Sequence, residues 1–149
     1  MGAVTSPEDP SGSRPFEVRD RVRWSDCDPF GIIYYGAYVR LFQLAEEELF
    51  RACGLPFAVL RQQKHVWIPR KAFRAEFHSP AELDEEVAVQ AWFSRIGTTS
   101  LTMQFEVYRA SDRVHRATAS LTVVSVDKPT MTPTPLPDDV RRALSGYAR

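Results

Sequence analysis

A carboxylate, a tight turn and an aromatic helix start come together in the run Asp26-Cys27-Asp28-Pro29-Phe30-Gly31-Ile32-Ile33-Tyr34-Tyr35-Gly36-Ala37-Tyr38. Pro29 fixes its own φ and biases Asp28 toward extended backbone, while Gly31 can take a positive φ, so the spacing predicts a turn. A carboxylate held there is suited to attack an activated carbonyl or to draw a proton from water. The first turn of the helix that follows exposes unpaired backbone N–H groups, and its dipole favours negative charge. The pair of features therefore offers a nucleophile or base together with donors for a carbonyl oxygen that gains charge. Short carboxylates also cap and stabilise turns, so Asp26 and Asp28 admit a purely structural role as well.

Other chemistries find less support. Cys27 stands beside Asp28, but no histidine is near it in sequence to activate a thiol. Asp26-x-Asp28 lacks the further oxygen ligands of a hard cation and the histidine or thiolate partners of zinc. His65, His78 and His115 are scattered singly, with His78 the best placed because it follows the Phe73 to Phe77 segment. No Gly-x-Ser-x-Gly turn is present, which removes the serine-hydrolase reading. No metal or organic cofactor is expected.

These groups need elements to position them. Phe16 to Trp24 alternate apolar and charged residues and predict a strand with one buried face. Tyr34 to Cys53 predict a helix, with Tyr38, Leu41, Phe42, Ala45, Leu49 and Ala52 on its apolar face and Arg40, Glu46, Glu47 and Arg51 left for other faces. Gly54 ends it, and Pro56 to Gln63 suit one short helical turn. Trp67 to His78, Glu86 to Arg95, Thr99 to Arg109 and Val114 to Asp127 then read as four strands, antiparallel because their connections are short. Strand, long helix and antiparallel meander is an α+β order in which a curved sheet and one helix bury each other.

The chain has 149 residues and 44% hydrophobic content, enough for one domain. Residues 1–14 are rich in Ser, Pro and Gly and are expected to form a disordered tail, with the domain in residues 15–128. Residues 129–149 read as a Pro-rich segment, in which Pro129, Pro133, Pro135 and Pro137 break regular structure, and a short C-terminal helix. Nineteen basic residues balance nineteen acidic ones, so no global field attracts nucleic acid. Nothing approaches the ~20 apolar residues of a membrane span, and residues 1–14 lack signal-peptide order, so a cytoplasmic protein with two reduced cysteines is expected.

The run from Trp24 to Pro56, closing on Arg51-Ala52-Cys53-Gly54-Leu55-Pro56, resembles the catalytic loop and central helix of the 4-hydroxybenzoyl-CoA thioesterase family of hotdog-fold acyl-CoA thioesterases. Weaker similarity continues from Phe73 to Asp127. The resemblance implies a hotdog fold, an antiparallel sheet of about five strands wrapped around a central helix. It implies hydrolysis of an acyl-CoA to the carboxylic acid and CoA, with Asp28 as catalytic carboxylate and the Tyr35 backbone N–H polarising the carbonyl. The groups that cluster near the helix start, Phe30, Gly31, Ile33, Tyr34 and Tyr38, are the candidates to surround the acyl group, with ordinary core packing the other role open to each apolar one. Gln43 stands where the aryl-CoA relatives carry an aspartate against the ring hydroxyl, a departure that points away from 4-hydroxybenzoyl-CoA itself and toward another aryl or a shorter acyl group. Arg70, Lys71, Arg95 and Lys128 are candidates for the CoA phosphates, while the relatives' basic cluster after the third strand is largely replaced by Ile96-Gly97-Thr98-Thr99, which leaves only Arg95 close by. A homo-oligomer, dimer or tetramer, is also implied. Acyl groups on a carrier protein, and a non-catalytic acyl-binding module, are the alternatives.

Overall fold

Apolar residues at spacings of three and four build the central element, α1 (Tyr38–Ala52), of the computed structural model, which describes residues 15–149. The tail expected in residues 1–14 lies outside the described residues. Tyr38, Leu41, Phe42, Ala45, Leu49 and Phe50 of α1 are all buried. Two expectations shift here. The helix begins at Tyr38 rather than Tyr34, because Tyr35–Ala37 wind as a tighter 3₁₀ turn. Ala52 is exposed and Phe50 takes the buried place, since a 3.6-residue period carries Ala52 past the core-facing stripe. Gly54 closes the helix at φ +76°, with the Leu55 N–H donating to Phe50 O, which satisfies a carbonyl the helix leaves open. Helix α2 (Phe57–Gln62) follows.

Five strands form one antiparallel sheet: β1 (Phe16–Arg21), β2 (Arg70–Phe77), β3 (Glu86–Ile96), β4 (Ser100–Arg109) and β5 (His115–Val124), in the order β1-β3-β4-β5-β2. Strand β1 stops at Arg21, short of Trp24, because Trp24–Asp26 turn into a 3₁₀ segment. Period-two alternation sets the faces: Leu101, Met103, Phe105 and Val107 of β4 are buried against α1 while Thr102, Gln104 and Glu106 face outward. The sheet wrapped on one helix is the hotdog arrangement.

Helix α1 runs antiparallel along β2. Tyr38 packs on Phe77 with ring centroids 5.2 Å apart, Phe42 on Phe73 at 5.8 Å, and Glu46 meets Arg70 at 2.6 Å. Beyond β5 the chain makes a two-residue pair, β6 (Val126–Asp127) with β7 (Thr132–Pro133), where the prolines predict no regular element. Pro133 fits because it ends a two-stranded ribbon and no inner ladder needs its missing N–H. Helix α3 (Asp138–Ser145) then lays Val140 and Leu144 into the core, and Ala148 bridges to Phe93 of β3.

Candidate active site

The Asp28 turn is built from its own backbone. The Gly31 N–H donates to Asp28 O at 3.0 Å, and Gly31 takes φ +77°, the left-handed conformation that glycine adopts without strain. The Phe30 N–H donates to Asp28 Oδ1 at 2.8 Å, so one carboxylate oxygen shapes the turn and Oδ2 carries no hydrogen bond among the described residues. Asp28 is half-buried.

Neighbouring segments clamp this turn on both sides. Cys27 bridges Ile33, the Asp28 N–H donates to Ile32 O at 2.9 Å, and the Tyr34 N–H donates to Asp26 O at 3.0 Å. From the far side, Ala81 O accepts the Ile33 N–H at 2.9 Å and Gly31 O accepts the Leu83 N–H at 3.1 Å. The segment holding Ala81 and Leu83 is anchored in turn by Arg116, whose guanidinium forks onto both carboxylate oxygens of Glu85 and also donates to Ser79 Oγ at 2.9 Å. Arg116 and Glu85 gave no signal in the sequence, since their pairing spans from β5 to the loop before β3.

Asp26, two residues from Asp28, does something different. It is 3% exposed and its carboxylate takes Arg40 Nε at 3.0 Å, a second Arg40 nitrogen, and the Arg23 N–H at 2.9 Å. Arg40 also reaches Asp20 on β1. Burial pushes the Asp26 carboxyl up, but the Arg40 and Arg23 hydrogen bonds outweigh it and hold the group below the ordinary aspartate value. Asp26 thus has its carboxylate saturated, and Arg40, left for another face by the helical pattern, ties α1 to β1 beneath the turn.

The 3₁₀ turn Tyr35–Ala37 follows the clamped segment in the chain and leads into α1. The Ala37 N–H donates to Tyr34 O at 3.0 Å, while the N–H groups of Tyr35 and Gly36 meet no acceptor among the described residues. They stand at the positive end of the 15-residue α1. A Cβ on Gly36 would lie 2.8 Å from the Tyr34 ring, so glycine there lets that ring fold over the turn.

The expected acyl-contact residues divide. Tyr38 is buried against Phe42 and Phe77, its hydroxyl without a hydrogen-bond partner among the described residues, and Ile33 is buried too. Tyr34 is 45% exposed, and Phe30 and Tyr35 are 87% and 78% exposed, so these three rings are open to solvent. Gln43 is exposed on α1 and makes no side-chain hydrogen bond among the described residues. Desolvation and the nearby Asp26 and Asp28 charges push the Cys27 thiol up, which disfavours the thiolate that a nucleophile needs. Both cysteines are free.

One buried acid escaped the sequence reading. Glu46, placed there on another face, is 2% exposed and points to β2, because it extends the Tyr38-Phe42 row by one more four-residue step. That spacing was the available signal. Of the candidate phosphate ligands, Arg70 pairs with Glu46 and Lys128 lies 4.2 Å over the Trp67 ring. Among the described residues no three His, Cys, Asp or Glu side chains converge as a metal-ligand set, and no helix is long and apolar enough to cross a membrane.

Residues 22–144 match the thioesterase-like superfamily. The chain belongs to that superfamily. As a thioesterase-like protein it is by class a thioester hydrolase, and it is similar to the acyl-CoA thioester hydrolase YbgC of Escherichia coli O6:H1, 28% identical over 120 residues that cover 80% of this chain and 88% of the relative. It is also 25% identical over 101 residues to the 4-hydroxybenzoyl-CoA thioesterase of Pseudomonas sp. strain CBS-3, covering 66% of this chain and 72% of that protein. Among solved structures, a thioesterase superfamily protein from Jannaschia sp. CCS1 superposes with a TM-score of 0.82 at 24% identity, over 97% of this chain and 99% of the other. A 1,4-dihydroxy-2-naphthoyl-CoA thioesterase from Synechocystis superposes at 0.81 with 18% identity, over 89% and 96%. At such identities these superpositions establish the shared fold.

Proposed function

We propose that this thioesterase-like protein hydrolyses an acyl-CoA with an aryl or short to medium acyl group, using Asp28 as nucleophile or general base. The observation that carries the reading is the clamped turn that leaves Asp28 Oδ2 without a hydrogen bond, followed directly by helix-start N–H groups without acceptors. In this scheme the Tyr35 N–H, aided by the dipole of α1, stabilises the oxygen that gains charge as the thioester carbon is attacked. Asp28 either forms an acyl anhydride that water then opens, or takes the proton of the attacking water. The CoA thiolate leaves in each case. Phe30, Gly31, Ile33, Tyr34 and Tyr38 border the acyl group, with Gln43 as a neutral hydrogen-bonding residue on α1. The names of the curated relatives support CoA as the carrier. A cytoplasmic setting accompanies the reading.

The test is thiol release from a panel of aryl- and aliphatic-CoA thioesters by the wild type and Asp28→Asn. The asparagine Oδ1 can still accept the Phe30 N–H, so the turn survives, and we expect turnover to fall by about 10²-fold or more. Equal turnover by the two proteins would refute the role of Asp28.

Two observations favour a second reading, an acyl group on a carrier protein. Arg70 and Lys128 are already engaged within the chain, and Phe30 and Tyr35 offer a protein partner exposed aromatic rings. Faster release from acyl-carrier protein than from the matching acyl-CoA would select it. Absence of turnover with both substrates by folded protein would instead indicate an acyl-binding module.

A further inference from the structure

One mainly apolar cavity lies away from the Asp28 turn. It has a volume of about 360 Å³, in the range of small-molecule sites, and its walls are Phe57, Leu60, Val66, Trp67, Ile68 and Met131. Phe57 and Leu60 belong to α2, beyond the C-terminal end of α1, and the 15 residues of α1 separate that end from Tyr38 by about 22 Å at the usual helical rise. The antiparallel run of α1 on β2 agrees: Tyr38 sits at the Phe77 end and the cavity at the Arg70 end.

Three independent elements build this cavity. Helix α2 supplies one wall, the segment entering β2 supplies Trp67 and Ile68, and the β6-β7 ribbon supplies Met131. Trp67 is pinned by its backbone, since Val126 donates its N–H to Trp67 O at 2.9 Å. Among the described residues the charged groups that line the walls are all cationic: Arg61, Arg70 and Lys128. Lys128 Nζ lies 4.2 Å and the Arg61 guanidinium 5.7 Å from the centre of the Trp67 ring. Neither Arg61 nor Lys128 forms an ion pair among the described residues. Glu46 is paired with Arg70, and Asp127, next to Lys128 in the chain, accepts the Thr130 hydroxyl at 2.8 Å and makes no ion pair with Lys128.

An apolar hollow with two uncompensated cations at its mouth selects an amphiphile of negative charge. A cation is repelled, and a neutral apolar molecule leaves the rim charges unused. We propose that this cavity is a second ligand site, for an organic acid anion whose apolar body lies against Trp67, Leu60 and Phe57 and whose carboxylate is held by Arg61 and Lys128. The proposal stands apart from the Asp28 chemistry, since no residue of that turn lines the cavity.

Isothermal titration with sodium decanoate below its micellar concentration tests it, using the wild type, Arg61→Gln/Lys128→Gln and Asp28→Asn. Both replaced cations are exposed, so the double variant keeps the fold. We expect wild type and Asp28→Asn to bind alike, and the double variant about tenfold or more weaker, as for loss of charged hydrogen bonds. Decanol, which lacks the charge, should bind wild type and double variant equally. Four results would each overturn the proposal: no binding of decanoate, equal decanoate affinity in the double variant, loss of binding in Asp28→Asn, or displacement of decanoate by CoA alone.

Discussion

Asp26 and Asp28 carry the same side chain two residues apart and meet opposite environments. Asp26 is buried with Arg40 and the Arg23 N–H on its oxygens, while Asp28 keeps one oxygen open. Removing Asp26 takes one of the two carboxylates off Arg40 and leaves Asp20 as its remaining partner, so Asp26→Ala should cost about 2–4 kcal/mol, short of the upper range for a broken buried pair. Urea unfolding of Asp26→Ala and Asp28→Asn side by side checks this, and an equal loss in both would mean that the two acids share one structural role. Glu46 titrates with the opposite sign. Burial, opposed in part by Arg70, pushes its carboxyl up to about 7 from an ordinary 4.5. Between those values the folded chain holds a proton that the unfolded chain has lost, so the contribution of Glu46 to stability falls as pH rises from about 4.5 to about 7. Glu46→Gln lacks this titration and should therefore gain on the wild type between pH 5 and pH 8, by at most about 3 kcal/mol. Parallel pH dependence of the two proteins would show that Glu46 does not carry a proton in the fold.

Element by element, α1 does two tasks at once, filling the sheet and, through Arg40, holding the Asp26 carboxylate two residues from Asp28. Leu49 is fully buried on its core face, so Leu49→Ala should cost about 2–5 kcal/mol through lost burial and the cavity left behind. A midpoint shift in denaturant measures that. The turn itself depends on backbone rather than packing. A Cβ on Gly31 would meet nothing within 4 Å, yet φ is +77°, so Gly31→Ala should destabilise by about 1 kcal/mol from backbone strain alone. A larger loss would mean that the turn and the fold are more tightly coupled than these contacts imply.

Across the whole molecule, β1 and β2 are the edges of the sheet, and β2 carries Phe73 and Phe77, each about half exposed. An antiparallel sheet with an open, partly apolar edge gains by pairing with a second copy. We therefore expect light scattering to give a mass of two or four times 17.0 kDa, and a mass of one chain in dilute solution would exclude the oligomer. Trp24, Phe30 and Tyr35 are each more than three-quarters exposed, apolar surface of the kind a second copy could cover.

Local rules fixed much of this protein in advance. Turn residues at Asp28 to Gly31, a 3.6-residue stripe in α1 and the Val-, Thr-, Phe- and Tyr-rich runs of β3 and β4 are each set by neighbours in the chain and appear close to where the residues predict them. The last strand, by contrast, stops at Val124 rather than Asp127, because Val126 and Asp127 pair with Thr132 and Pro133 instead. What required the tertiary structure is every pairing across long loops. Arg116 reaches Glu85 to anchor the strip that clamps the turn, and Arg40 reaches Asp20 and Asp26 to seat α1. His78 and His115, apart by 37 residues and unremarkable singly, stack at 4.3 Å beside Tyr108 and Glu106 because β2 and β5 are neighbours in the sheet. The Trp67 cavity likewise exists only once α2 and the β6-β7 ribbon close around it. Chain-local propensity decides where an element forms; which charges and rings it meets depends on strand order, and strand order is a property of the folded whole.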